Sequence, residues 1–175
     1  CIRDRAEVLG REWKVPQVST GDMLRSGVRH QTLLGMEAKK FMDRGDLVPD
    51  SLMTKMVQAR LLEDDCASGF LLDGYPRTIQ QAESLREFLA NAEVELDGVV
   101  TLEVKEDELI GRMMGRGRSD DSEEIIRARL KGYRDSTEPL IQYFRKCGKV
   151  FEVDGMGRVE DITERISLSL SLIHI

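Results

Sequence analysis

The segment GFLLDGYPRT, residues 69–78, joins a short apolar run to a polar turn, and this junction decides the fold. The run Phe70–Leu72 has the length of a buried strand and is too short for a helix. Asp73, Gly74 and Arg77 follow it, so a carboxylate, a bare backbone and a guanidinium lie at its carboxyl end. The segment therefore predicts a buried strand that ends in polar groups.

Three further short apolar runs are also predicted to be strands, and longer segments with helical periodicity separate them. This alternation predicts an α/β fold with a parallel sheet. The predicted strands are Pro16–Ser19, Phe70–Leu72, Val99–Val104 and Lys149–Val153.

The helical segments carry apolar residues at intervals of three and four. One begins at Asp50, which is its predicted N-cap. Another follows Thr78–Gln81, a segment with the form of a capping box. A third begins after Asp120–Asp121 and is expected to bend or break near Pro139.

Composition limits the class of protein. A length of 175 residues, with 41% hydrophobic and 33% charged residues, is typical of one globular domain with its own core. No run approaches the roughly 18 to 20 apolar residues of a membrane-spanning helix. The net charge of −6 argues against a general nucleic-acid binder, so an anion site would need a local cluster of Arg or Lys.

Cysteine and histidine do not form a recognisable site. Cys1, Cys66 and Cys147 are far apart, and neither His30 nor His174 has a second histidine or a cysteine nearby in sequence. This spacing predicts reduced thiols, an intracellular compartment and no metal centre built from these residues.

A second predicted strand also ends in polar groups, in STGDMLR, residues 19–25. In an open parallel sheet, ligands bind beyond the carboxyl ends of the strands. Thr20, Gly21 and the free N–H groups of a starting helix suit an anion or a nucleotide, and the planar fork of Arg25 suits a phosphate. Simple N-capping by Ser19 or Thr20, with Arg25 solvated, is the alternative.

The turn after Phe70–Leu72 has the same two interpretations. Gly74 permits close approach to its backbone, Pro76 stiffens the turn, and Asp73 offers a carboxylate to a cation or its waters. The alternative is a polar turn between strand and helix, in which a capping box accounts for Gln81 without a ligand.

Arginine is concentrated in GRMMGRGRSDDSEE, residues 111–124, where glycines alternate with Arg112, Arg116 and Arg118. Such a loop suits the charge that spreads over oxygen atoms during phosphoryl transfer. A solvated helix end with Arg–Asp pairs is the alternative.

The strings STGDMLR, FLLDGYPRTIQQA and GRGRSDDSEEIIRARL, in this order and spacing, closely resemble the adenylate kinase family of nucleoside monophosphate kinases. The resemblance extends from about Ala6 to about Ile166. It implies the P-loop nucleoside monophosphate kinase fold, a parallel sheet with helices on both faces. The implied organisation is one domain, 1–175, with a core at 6–18, 49–114 and 122–166, an AMP-binding arm at about 19–48, and a short lid at about 115–121 without a zinc-binding insertion.

The resemblance also implies reversible phosphoryl transfer from magnesium-bound ATP to AMP, which gives two ADP. Arg77 would bind the AMP phosphate, and Gln81 would read the adenine edge. The implied AMP-binding residues are Thr20, Arg25, Asp46, Leu47, Val48, Gly74, Tyr75, Pro76, Arg77, Gln81, Arg118 and Arg129. The implied ATP-binding residues are Arg112, Arg116 and Gly157. The implied catalytic residues are Arg77, Arg116, Arg118, Arg129 and Asp73, the last of which would orient magnesium through water.

Thr20 and Gln81 match the adenylate pattern, whereas the related uridylate and cytidylate kinases usually carry a different pair. Two alternatives remain open: a uridylate or cytidylate kinase, and a non-catalytic AMP-binding module. The implied ligands are AMP, ATP and ADP with Mg²⁺, without zinc, nucleic acid or a membrane. The resemblance further implies a cytoplasmic monomer.

The sequence departs from the family at its start. The family opens with a strand and a G-x-x-x-x-G-K loop that holds the ATP phosphates, and the 175 residues contain no such motif. We expect the first central strand and the P-loop to be missing, with either two unpaired sheet edges or a gap in the core, and the chain to be inactive or weakly active. Residues 1–5 and 167–175 are expected to be foreign ends, with a genuine edge strand as the alternative for the latter.

Overall fold

A computed structural model describes residues 2–115 and 122–171, with side chains from residue 5 onward. The helices are α1 (Ile2–Trp13), α2 (Thr20–Arg29), α3 (Leu33–Met42), α4 (Asp50–Leu61), α5 (Ile79–Asn91), α6 (Glu106–Gly115), α7 (Glu123–Gly132), α8 (Pro139–Arg145) and α9 (Val159–Ser171). The strands are β1 (Gln17–Ser19), β2 (Leu71–Asp73), β3 (Val99–Glu103) and β4 (Val150–Asp154). Strands and helices alternate as the sequence predicts.

The four predicted strands are confirmed, and they pair in parallel. β1 lies beside β2 with Ser19 opposite Asp73, and β3 lies beside β4 with Val99 opposite Val150. Within the described residues, β2 and β3 each have a partner on one edge only, so the strands form two two-stranded sheets. The α/β class with parallel pairing is confirmed, whereas a first strand missing from between the two sheets stays a prediction.

A common hydrophobic layer joins the two sheets. It is formed by α1, α9 and β4, with apolar side chains from β2 and β3 packed against them. Its members are Leu9, Val153, Ile162, Ile166, Leu71, Val100, Leu102 and Leu170. Because one core contacts strands of both sheets, burial of this apolar surface stabilises the two halves together.

A second hydrophobic core lies under β1, β2 and the helices α2–α5. It includes Val18, which is 1% exposed, and Tyr75, which is 6% exposed. Helices α2 and α3 approach each other closely at Gly27 and Gly35, where a Cβ atom on Gly35 would lie 2.1 Å from the carbonyl carbon of Gly27. The predicted AMP-binding arm therefore begins as two tightly packed helices, while the boundaries of core, arm and lid stay predictions.

The structure changes one predicted helix start and confirms others. Asp50 is the first residue of α4 and not its N-cap, which is Pro49. Thr78 caps α5 as predicted, because its hydroxyl accepts a hydrogen bond from the backbone N–H of Gln81 at 3.2 Å, but the capping box is incomplete, because Oε1 of Gln81 accepts from the N–H of Arg77 and not from that of Thr78. Helix α7 begins after Asp120–Asp121, which lie outside the described residues, and Ser122 caps it.

Helices α8 and α9 form as the sequence pattern predicts, and the chain through Ser171 does not form the alternative edge strand. A π-helical turn separates α7 from α8, which begins at Pro139, so the predicted break is confirmed. Helix α9 continues to Ser171, so the edge strand is wrong up to that residue, and 172–175 lie outside the described residues. Within 2–115 and 122–171, no helix is long and apolar enough to cross a membrane.

Candidate functional site

The two polar strand ends are brought together by the pairing of β1 with β2. Ser19 lies opposite Asp73, and the hydroxyl of Thr20 donates a hydrogen bond to the carbonyl oxygen of Gly74 at 3.0 Å. Ser19 occupies the N-cap position of α2, but its side chain makes no capping hydrogen bond. Simple N-capping by Ser19 or Thr20 is therefore wrong, because the buried Thr20 hydroxyl is used to join the strand ends.

Gly74 is the backbone centre of this junction. Its φ angle is +78°, and its carbonyl oxygen accepts a second hydrogen bond from Nε of Arg77 at 2.9 Å. A Cβ atom at this position would lie 3.0 Å from Oγ1 of Thr20 and 3.1 Å from Nη2 of Arg77. The left-handed backbone favours glycine here, and the close neighbours would have to shift slightly for a Cβ atom.

We expect Gly74→Ala to lower the free energy of unfolding by about 2 kcal/mol, because the new Cβ atom is strained and crowded. Gly148→Ala is the matched control: Gly148 also has a positive φ, of +67°, but no described atom lies within 4 Å of its Cβ position. It should cost about 1 kcal/mol from backbone strain alone. Urea unfolding measures both variants, and equal losses would contradict the crowding at Gly74.

The charges of two other arginines, Arg25 and Arg129, act on Arg77. Loss of hydration among the surrounding protein atoms is the main cause that lowers the pKa of Arg77, and the charges of Arg129 and Arg25 lower it further, against the opposing charge of Asp73. The residue remains open to solvent on its outer side. Because like charges held together repel one another, this arginine cluster of Arg25, Arg77 and Arg129 is suited to bind an anion.

Arg25 is not simply solvated, as one interpretation of the sequence requires. Its Nη2 donates to Oδ1 of Asp22 at 2.6 Å, and 27% of its side chain is exposed. The guanidinium also lies against Gly21, whose Cβ position is 3.0 Å from Nη2 of Arg25. Arg25 is therefore held at the start of α2, next to the paired strand ends.

Asp73 offers a single carboxylate at this edge. Nε2 of Gln17 lies 3.4 Å from Oδ2 of Asp73, which is a long hydrogen bond. In the part of the chain that the structure describes, no three His, Cys, Asp or Glu side chains are grouped to hold a metal ion. A metal ion at Asp73 would therefore need further ligands from water or from a bound molecule.

A hydrogen-bond network behind the junction connects Asp50, Thr78 and Gln81. The carboxylate of Asp50 accepts from the Thr78 hydroxyl and from Nε2 of Gln81, both at 2.7 Å. Oε1 of Gln81 accepts from the backbone N–H of Arg77, also at 2.7 Å. Sequence reasoning missed this use of Asp50, because an acidic residue at a helix start is already explained by capping.

Tyr75 and Pro76 complete the turn between β2 and α5. The Tyr75 hydroxyl lies 3.2 Å from Oγ1 of Thr54 and donates to the carbonyl oxygen of Gln81 at 3.3 Å. Burial raises the pKa of Tyr75 above its ordinary value. Pro76 follows Tyr75, half-buried, and precedes Arg77. The turn is thus tied to both α4 and α5.

The predicted pocket residues 46–48 lie between α3 and α4. Val48 is buried in the core that also contains Val18, and Leu47 is half-buried. Asp46 is exposed, and its Oδ2 accepts a hydrogen bond from Nε of Arg44 at 2.7 Å. The structure thus anchors one end of this segment and leaves its start at the surface.

The other pair of strands carries a second set of predicted residues. Nη1 of Arg112 donates to the carbonyl oxygen of Gly155 at 3.0 Å, and its Nε donates to Glu108 at 2.8 Å. Gly157 follows in the same turn, with a φ of +109°. Arg112 is therefore held against the turn that contains Gly157. Arg116 and Arg118 lie outside the described residues.

An open cavity of about 480 Å³ lies between the end of α5 and α8. Its lining residues include Arg86, Leu89, Phe144, Cys147 and Lys149. None of its lining residues belongs to the strand-end junction or the arginine cluster, so it is a separate surface feature.

Comparison with known proteins shows which proteins this chain resembles. A family model described as "Adenylate kinase" matches residues 4–149. A relative from Leptospira biflexa, named adenylate kinase, is 46% identical over 170 residues, which cover 95% of this chain and 91% of that protein. The match includes both strand ends and the arginine cluster.

Two further relatives carry the same name. The protein from Nocardia farcinica is 47% identical over 161 residues, covering 92% of this chain and 88% of its own length. The protein from Thermobifida fusca is 46% identical over 170 residues, covering 95% of this chain and 90% of its own length. The likeness thus extends over nearly the whole of each sequence.

Proposed function

The chain belongs to the adenylate kinase family, and we propose from this premise how its own residues serve the reaction ATP + AMP ⇌ 2 ADP. The protein is a nucleoside monophosphate kinase, a phosphotransferase with nucleotide substrates. The roles of the residues are assigned from the junction, in which Thr20 and Arg77 both donate hydrogen bonds to the carbonyl oxygen of Gly74. This junction lies at the carboxyl ends of paired parallel strands, where ligands bind in such sheets.

AMP binds across this junction. Gly74, Tyr75 and Pro76 form the floor of the AMP site. Thr20 and Gln81 lie beside the adenine base, and residues 46–48 line one side of the site. Arg77 and Arg25 take the AMP phosphate, because a guanidinium fork matches phosphate oxygens and an added anion relieves the repulsion within the arginine cluster.

Phosphoryl transfer needs positioned positive charge more than it needs a protein nucleophile. Arg129 lies near enough to Arg77 to lower its pKa, which supports a shared hold on the moving phosphoryl group. Arg116 and Arg118 complete this role as the resemblance implies. These residues stabilise the charge that spreads over the phosphoryl oxygens at the transition state.

ATP binds at the second pair of strands, where Arg112 and Gly157 flank its base. Mg²⁺ fits Asp73, because this ion is commonly held by one or two carboxylates together with waters and substrate phosphates. When bound, the ion offsets negative charge on the phosphate chain. Asp73 would hold the ion through its waters, and its carboxylate opposes the lowering of the Arg77 pKa.

Closure of the arm, about 19–48, and of the lid, about 115–121, excludes water from the phosphates. The arm begins with α2, which carries Thr20 and Arg25, so its movement brings two AMP-binding residues with it. Three properties stay predictions: the monomeric state, the cytoplasmic location, and the low turnover expected without a G-x-x-x-x-G-K motif.

A panel of nucleoside monophosphates tests the assignment. We expect titration calorimetry to detect AMP binding by the chain and weaker binding of UMP and CMP, because Thr20 and Gln81 match the adenylate pattern. Preference for UMP or CMP would favour the uridylate or cytidylate kinase. A coupled assay then follows ADP formed from ATP and AMP: slow, AMP-dependent formation supports the kinase, and robust turnover would contradict the low activity expected without a G-x-x-x-x-G-K motif.

A further inference from the structure

Two neighbouring groups hold the side-chain amide of Gln81: one can only accept hydrogen bonds, and the other can only donate them. A carboxylate accepts hydrogen bonds and cannot donate them, so the Asp50 oxygen at 2.7 Å must face the NH₂ end of the amide. A backbone N–H donates and cannot accept, so the N–H of Arg77 at 2.7 Å must face the oxygen end. The two neighbours independently require the same orientation of the amide.

Asp50 is itself held in place. Its other carboxylate oxygen accepts from the Thr78 hydroxyl, and that hydroxyl accepts from the backbone N–H of Gln81. The bonds form a closed ring through Asp50, Thr78 and Gln81. Gln81 is 2% exposed, so water cannot compensate for an amide turned the wrong way.

We propose that Asp50 is a positioning residue that fixes the Gln81 amide in the orientation that accepts adenine and rejects hypoxanthine. This rests on the proposed function, in which Gln81 reads the base of the nucleoside monophosphate. Asp50 acts through Gln81 and does not touch the nucleotide.

The selectivity follows from the hydrogen-bond patterns of the two bases. Adenine presents an acceptor at N1 and a donor at its 6-amino group, whereas hypoxanthine presents a donor at N1 and an acceptor at O6. The fixed amide has one N–H and one oxygen lone pair left after Asp50 and Arg77 are satisfied. This N–H and this lone pair match adenine. Hypoxanthine has the reversed pattern, so its binding would require the amide to turn its oxygen toward the Asp50 carboxylate.

The test compares the affinities of AMP and inosine monophosphate for the full chain by titration calorimetry. We expect the wild-type chain to prefer AMP by roughly a hundredfold, because two hydrogen bonds are mispaired with hypoxanthine. In Asp50→Asn, the new amide can donate as well as accept, so the Gln81 amide can turn. The preference should fall to roughly tenfold, with the remainder imposed by the Arg77 backbone N–H.

Asp50→Ser is the second variant, because its hydroxyl also donates or accepts and serine is well tolerated at a helix start. Asp65→Asn is the matched control, since the Asp65 carboxylate also accepts two hydrogen bonds, both from Arg60. That control should keep the wild-type ratio. A merely structural role for Asp50 would weaken both nucleotides together and leave the ratio unchanged.

The proposal is overturned if Asp50→Asn or Asp50→Ser folds, by urea unfolding, and retains the wild-type preference for AMP. It is also overturned if the wild-type chain binds both nucleotides equally. A wild-type chain that binds neither nucleotide overturns the proposed function and this proposal with it. A loss of preference in the Asp50 variants, with the Asp65 variant unchanged, supports the role of Asp50.

Discussion

Arg77→Ala is expected to weaken AMP binding roughly a hundredfold, because charge-assisted hydrogen bonds from a guanidinium to a phosphate are lost. Stability should not fall in parallel. Removing Arg77 relieves its repulsion with Arg25 and Arg129 but also ends its attraction to Asp73 and its hydrogen bond to Gly74, so the free energy of unfolding should change little. Titration calorimetry with AMP and urea unfolding measure the two effects on the same samples.

Arg77→Lys and Arg86→Ala are the controls. Lysine keeps the charge without the planar fork, so Arg77→Lys should lose about tenfold in AMP affinity. Arg86 lies over the Tyr143 ring and lines the separate cavity beside α8, so Arg86→Ala should bind AMP as the wild-type chain does. If Arg86→Ala weakens binding as much as Arg77→Ala, overall charge and not a phosphate site explains the loss.

Gly35→Ala is expected to lower the free energy of unfolding by about 3 kcal/mol. Its Cβ atom would lie 2.1 Å from the carbonyl carbon of Gly27 and 2.3 Å from its oxygen, and these backbone atoms cannot turn away as a side chain can. Helices α2 and α3 must therefore separate. Because α2 carries Thr20 and Arg25, AMP affinity should fall as well. Urea unfolding and calorimetry measure both losses.

Gly111→Ala provides the matched control for a glycine within a helix. Gly111 lies inside α6, and no described atom is within 4 Å of its Cβ position. Alanine there should stabilise the chain by about 0.5–1 kcal/mol through its higher helix propensity. If Gly35→Ala is as stable as Gly111→Ala, helices α2 and α3 do not pack as closely at Gly27 and Gly35 as the structure shows.

Much of the fold could be predicted because its signals are local. A short apolar run that ends in polar groups predicts a strand with a ligand-binding end, and Phe70–Leu72 and Pro16–Ser19 show this pattern. The cap at Thr78 and the break before Pro139 also depend on a few neighbouring residues. Such features follow from backbone chemistry within one or two turns of chain.

The rest could not be predicted, because it depends on contacts between distant residues. Asp50 is 31 residues from Gln81 in sequence, and only the packing of α4 on α5 brings them to 2.7 Å. The electrostatic effect of Arg129 on Arg77 likewise depends on the tertiary fold. Asp50 was predicted to be an N-cap because a local explanation was sufficient for it.

We propose that the adjacent ends of β1 and β2 form the AMP site. Backbone amide NMR during titration of the chain with AMP tests it most directly, since each amide near the ligand shifts. We predict the largest shifts at Thr20, Gly74, Arg77 and Gln81. Shifts centred on the cavity beside α8, at Arg86, Leu89 and Lys149, with the strand ends unchanged, would contradict the account.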